Sequence, residues 1–446
     1  MPTDGRHDPP SGRLLIAGAL VLAAAAVGFG LYPDVLSRHL LTVSSDPAGV
    51  RIPPDTTARS AWPPSTGGPS GGRGRGPDRE ATELTLIFSG ELLLTGAAAE
   101  ATLAPLDSLL SSADLAVCQG PALTGAPEPA AEALRRAGFD ACATATSHTA
   151  QLGDADRRSL LDALDGASIN HSGAARDRAE AGTLTLLPVH GAQIALLSAT
   201  DADQSAAPSA ATGGDTDGGV DRLDPVRILQ DAARARDAGA DLVIASLDWR
   251  GPRSLAPAAS PASPTSTPPT PPTPPTERQR FAARELLGSP LIDLVVGSGS
   301  GAVQPFEAVN GKYVAYGMSA ATASAGGTRG DAPGSAPGSA RSRDGLLLHV
   351  LVRNTGLGWV IAGLTYSPTW TRDDGAVLPV ADALDDPGTA LTVRSELTAS
   401  WLRTVAAVTG LGPVDGARPD RAPRHFDTGP APAAPPGDGT TNGTTG

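Results

Sequence analysis

"DPVRILQDAARARDAGADLVIASLDW", Asp224 to Trp249, decides the fold class. It opens with Asp-Pro, a cap followed by the one residue pre-set for a first helical position, and its helical part stops at a glycine. The helix then feeds "DLVIASLDW", an apolar run bounded by polar residues, which reads as a strand buried on both faces. Outward in both directions the pattern repeats. "LTLIFSG" (84–90), "LAVCQG" (115–120), "FDACATA" (139–145) and "LIDLVVG" (291–297) are strands. "LAPLDSLLSSA", "PAAEALRRAG", "DADRRSLLDALDGA" and "PTERQRFAARELL" are the helices between them. "GTLTLLPVHGAQIALLSAT" is a hairpin turning at His190-Gly191. The strands "KYVAYGM", "GLLLHVLV" and "WVIAGLTYS" close the series before the helix "RSELTASWLRTVAAVT". Alternation of this kind predicts an α/β fold, and the strand-rich end makes its sheets mixed.

The ordered part is smaller than 446 residues suggest. The 53 glycines and 42 prolines gather in runs that cannot bury a core. These set the expected boundaries: a tether over 32–80, an ordered domain over 81–412, insertions near 201–219, 252–274 and 323–342, and a loose tail over 413–446. Leu14 to Leu31 is an uncharged apolar stretch behind Arg6 and Arg13. It predicts a single-pass membrane anchor, with residues 1–13 cytoplasmic and the domain outside. A cleaved signal peptide is the competing reading, and the length of the run argues against it. With 34 basic against 47 acidic residues, a net charge of −13, nucleic acid is excluded as a partner. Cys118 and Cys142 each close a short strand; they read as small buried residues, and spacing leaves their pairing open.

In α/β folds ligands sit at the carboxyl ends of strands. The tips here, in chain order, are "FSGE", "VCQGP", "AGFDACATATSHTAQLG", "LDWRG", "GSGSGAV" and "YGMSAAT", with Pro275-Thr276-x-x-Gln279 opening the helix before the fifth. This order resembles the CapA family of capsule-synthesis and poly-gamma-glutamate biosynthesis proteins, from about Leu84 to Tyr366. The resemblance implies a metallo-dependent-phosphatase-like sandwich of mixed sheets flanked by helices. It also implies a divalent metal pair.

The departures from that pattern are as informative as the matches. Glu91 stands at the family's first Asp, Gln119 at its Glu, and Asp248 at its His, while His148 is kept. The loop Gly297–Gly301 stands where the family presents a His pair, and "GSGSG" contains no good ligand for a divalent metal. A phosphate cradle would need a glycine loop opening a helix, but strand and turn follow here. Glu91, Gln119, His148 and Asp248 are therefore the remnant metal positions, with His148 the candidate general acid or base. They leave at most one weakly held Mg²⁺ or Mn²⁺. Trp249 and Arg250 are the candidate substrate contacts, although lone tryptophans more often pack. His171 (in a loop), His190 (in a turn) and His349 (in a strand) read as structural.

The expectation is an envelope protein of capsule or poly-gamma-glutamate-type assembly, catalytically degraded, contacting an anionic or polysaccharide polymer or an envelope protein. A charge of −13 opposes direct binding of an anionic polymer. The alternatives are an active metal-dependent hydrolase or transferase using His148, Glu91 and Asp248, and a tethered envelope scaffold with no polymer role.

Overall fold

The structure is a computed structural model that describes residues 50–51, 82–96, 98–124, 126–202, 219–249, 273–318 and 343–424. The expected anchor 14–31, nearly all of the tether, Arg250 and most of the three insertions lie outside those residues. Among the described residues no helix is long and apolar enough to cross a membrane.

The strands are β1 Val50–Arg51, β2 Glu83–Thr95, β3 Leu115–Thr124, β4 Ala141–Ala143, β5 Asn170–Ser172, β6 Leu184–Val189, β7 Ala192–Thr200 and β8 Leu242–Asp248. They continue as β9 Leu294–Ser298, β10 Phe306–Val309, β11 Lys312–Ala315, β12 Asp344–Asn354, β13 Trp359–Thr371, β14 Val377–Pro379 and β15 Arg418–Pro419. The helices are α1 Ala99–Leu103, α2 Asp107–Leu110, α3 Pro127–Ala137, α4 Asp154–Gly166, α5 Arg178–Ala181, α6 Pro225–Asp237, α7 Glu277–Gly288, α8 Val380–Asp385 and α9 Leu391–Val408. One sheet runs β1-β6-β7-β8-β9-β11-β10, and the other runs β14-β13-β12-β2-β3-β4-β5 with β15 beside β13. In each sheet a parallel block, β7-β8-β9-β11 or β2-β3-β4-β5, meets antiparallel strands at an edge, so both sheets are mixed.

Period-2 alternation sorts the side chains into three layers. Between the sheets lie Leu84, Leu86, Phe88, Val117, Ile194, Leu196, Leu242, Ile244, Leu294 and Val296, all buried. Ile87, Cys118 and Cys142 face the other way, under α1, α3 and α4. Leu197, Val243, Leu247 and Val295 pack beneath α6 and α7. The result is a helix–sheet–sheet–helix sandwich. Burying one such Leu or Phe is worth roughly 1.5–3 kcal/mol. A one-residue slip would turn a whole inner row outward, so the registers are firmly specified.

Local signals place the helices. Asp224 accepts the Val226 N–H at 3.0 Å and Pro225 follows it, as the opening stretch requires. The Pro-Thr-x-x-Gln motif is a capping box: Thr276 Oγ1 accepts from Gln279 N and Gln279 Oε1 accepts from Thr276 N. The hairpin at His190-Gly191 has both residues at positive φ (44° and 90°), the tight turn its strands need.

Three expectations need correction. Cys118 and Cys142 form a disulfide; they are register partners on β3 and β4 with Cα atoms 4.5 Å apart, which spacing in the sequence could not reveal. His171 lies on β5 rather than in a loop, and it is buried. Residues 413–424, assigned by composition to the tail, instead pack: β15 pairs with β13, and Asp420 N donates to Tyr366 O at 2.8 Å.

Candidate functional site

The inner layer changes character along the strands. After Ile244, the next inward positions of β8 are Ser246 and Asp248, both buried. On β7, Ser198 and Thr200 follow Leu196, and on β9, Ser298 follows Val296. On β3, Gln119 follows Val117 and is fully buried. Register aligns these residues in two rows, Thr200–Asp248–Ser298 on one sheet and Glu91–Gln119–Ala143 on the other. Two polar rows therefore close the carboxyl end of the apolar core.

Glu91 reaches its row through a distortion. The pairing of β2 with β3 shifts between Phe88 and Glu91 and again between Glu91 and Leu93. Phe88 packs inward while Leu92 and Leu94 pack outward, which turns Glu91 inward. The expected strand end at Gly90 is thus a bulge inside a strand that continues to Thr95.

Asp248 is the centre of the site. Thr200 Oγ1 donates to its Oδ1 at 3.1 Å, and Ser147 N donates to its Oδ2 at 3.2 Å, tying the sheets together. Burial pushes its carboxyl up to about 7, and the neighbouring Glu91 carboxylate adds to the rise. The two donors oppose it without prevailing. Gln119 finds no hydrogen-bond partner for either side-chain atom among the described residues. An unpaired buried amide costs roughly 1–3 kcal/mol, so the fold gives up stability at this point of the floor.

The glycine loop has a packing explanation. A Cβ at Gly297 would lie 2.3 Å from Tyr316 O and 2.5 Å from Trp249 Nε1. A Cβ at Gly299, where φ is +78°, would lie 2.8 Å from Asp248 Oδ1. The loop therefore leaves room for Asp248 and Trp249, and side chains at these two points would collide with them. Trp249 is itself 2% exposed and donates through Nε1 to Tyr316 O at 2.7 Å, a packing position. His148 is half-buried at the head of the turn Thr149–Gln151. Arg250 lies outside the described residues.

A divalent pair needs a shared carboxylate and several further donors around two ions roughly 3.5–4 Å apart. The floor offers two carboxylates, one amide and a set of hydroxyls, and both oxygens of Asp248 already accept hydrogen bonds. Among the described residues no three His, Cys, Asp or Glu side chains gather as metal ligands. These donors do not fit a metal pair. The order of strand tips pointed to Glu91, Gln119 and Asp248 but not to Thr200, Ser147 or Ser298 as partners in the site. Counting inward positions along β7 and β9 in steps of two would have found Thr200 and Ser298.

Residues 88–263 match the family model described as bacterial capsule synthesis protein PGA_cap. No curated protein matches the chain. Among solved structures it is similar to a hypothetical protein from Thermus thermophilus, at 14% identity, covering 64% of this chain and 98% of that one, with a TM-score of 0.39. It is also similar to the calcineurin-like phosphoesterase YfkN from Bacillus subtilis, at 12% identity, covering 73% of this chain and 98% of that one, with a TM-score of 0.35. Scores this low carry no weight beside the sheets themselves. The matched segment, 176 of the 446 residues, includes the bulge of β2, Gln119, His148 and Asp248, and over it the chain is similar to the PGA_cap bacterial capsule synthesis proteins.

Proposed function

We infer that this chain serves the assembly of a capsule-type envelope polymer as a member of its family that no longer performs two-metal phosphoester chemistry. The observation that carries this reading is the composition of the two facing rows. They hold hydroxyls, one amide and two carboxylates where a metal pair would require a richer set of ligands. Its contribution is then binding, of a polymer or of another envelope component. The net charge of −13 favours a neutral or cationic partner surface over a polyanion.

The ordered domain belongs outside the cytoplasm in this reading, held by the apolar segment 14–31. The Cys118–Cys142 disulfide supports that side of the membrane, because such bonds persist in oxidising compartments. Protease added to intact cells should clip the tether between residues 32 and 80, and protection of the tether would refute the topology.

An assay of phosphodiester hydrolysis tests the catalytic half of the inference. With Mn²⁺ and an aryl phosphodiester, turnover by the full chain should equal that of the Glu91→Ala/His148→Ala double variant. Metal-dependent turnover lost in that variant would restore the enzyme.

A further inference from the structure

A cavity lies beside strands β5 and β6, where the two sheets come together, and shares none of Glu91, Gln119, His148 or Asp248. It holds about 170 Å³ and is lined by His171, Glu180, Thr183, Thr185, Asp221 and Arg227. At roughly 30 Å³ per water, that is space for about five waters or one small polar molecule. Gly173 forms the wall towards the strand-tip floor. Its φ is +98°, and a Cβ there would lie 2.6 Å from Ala145 Cβ and 2.7 Å from Ser198 Cβ.

Most charges around the cavity are already closed into pairs. Glu180 is held by Arg176 at 2.6 Å, and Asp231 by Arg234 at 2.8 Å. His171 Nε2 stands 3.2 Å from Asp165 Oδ1. Asp221 and Arg227 differ. Their nearest charged atoms are 3.7 Å apart, beyond the roughly 2.7–2.9 Å of a formed guanidinium–carboxylate hydrogen bond. Every other arginine in an ion pair among the described residues reaches at least one carboxylate oxygen at 2.8 Å or closer. Neither side chain of this open pair makes a hydrogen bond to the described residues. Its backbone is nonetheless fixed: Asp221 N donates to Gly173 O at 2.7 Å and Asp221 O accepts from Thr200 N at 2.9 Å, while Arg227 lies in the first turn of α6. Partial desolvation lifts the Asp221 carboxyl to about 6 despite Arg227, and both side chains remain open to an incoming ligand, 36% and 57% exposed.

We propose that this cavity binds a small zwitterion of the α-amino acid class, its carboxylate on Arg227 and its ammonium on Asp221. A bare anion would meet Asp221, and a bare cation would meet Arg227; only a ligand carrying both charges on neighbouring atoms satisfies the open pair.

The test is isothermal titration calorimetry on the full chain, with L-alanine as the probe and acetate and methylammonium as single-charge controls. Alanine should bind saturably, and each control more weakly by about tenfold or more, the equivalent of one lost charge-assisted hydrogen bond. Asp221→Asn and Arg227→Gln should each weaken alanine binding by a similar factor, with Asp221→Asn melting no lower than the parent. The proposal fails if alanine shows no saturable binding, if both variants bind it as the parent does, or if acetate binds as tightly as alanine, which would indicate a simple anion site.

Discussion

Asp248 concentrates the chemistry of the floor in one carboxyl, and its environment has a measurable consequence. Its folded-state value is raised to about 7 from an ordinary 3.8. The stability it contributes is therefore present below pH 3.8 and is lost as the pH rises through 7. Asp248→Asn keeps an acceptor for Ser147 N and carries no charge. In chelator, the variant should melt above the parent at pH 8, and the gap should close towards pH 4. A parent that stays the more stable at pH 8 would mean that Asp248 is not buried as a repelled charge. The glycines give a second residue-scale prediction. Gly297→Ala should destabilise the protein by roughly 2 kcal/mol or more, because backbone and an indole ring must shift to admit its methyl. Gly301→Ala, with φ +71° and nothing within 4 Å of its Cβ, should cost only the left-handed penalty of about 1 kcal/mol. Urea unfolding of the two variants measures the difference. His148, Trp249 and Gln119 were legible from their places in the order of strand tips. That Trp249 is enclosed and Gln119 unpaired was not, since both depend on neighbours distant in the chain.

At the scale of elements, the helix openings were the most legible features. Asp224-Pro225 and Thr276-x-x-Gln279 are local devices, each satisfied within one turn, so sequence alone locates them. The strand ends were less legible. β2 runs past Gly90 through a bulge, and β3 runs past Gly120-Pro121, because pairing with the neighbouring strand outweighs the glycine and proline that read as stops. The disulfide is an element-scale feature of the same kind, set by the registry of β3 on β4. It closes a separation of 24 residues. Removing it by Cys118→Ala with Cys142→Ala should cost about 2–4 kcal/mol in urea unfolding. Reductant should lower the parent towards the double variant and leave the variant unchanged. A double variant whose midpoint equals that of the oxidised parent would show that the bond contributes nothing to the fold.

For the whole molecule, alternating helices and strands gave the α/β class, and the order of strand tips pointed to a sandwich of two mixed sheets. How the sheets face each other was beyond the sequence, since that rests on which residues of each strand turn inward. Facing brings Glu91, Gln119 and Asp248 onto one floor from strands far apart in the chain, together with hydroxyls where a catalytic metal pair would need ligands. The most direct test of that floor is the metal content of the purified full chain after dialysis against Mn²⁺ or Zn²⁺, measured by plasma mass spectrometry beside His148→Ala. The account predicts less than one ion per chain, with no change in the variant. Two ions per chain, falling when His148 is removed, would contradict it and show a working metal pair on the floor.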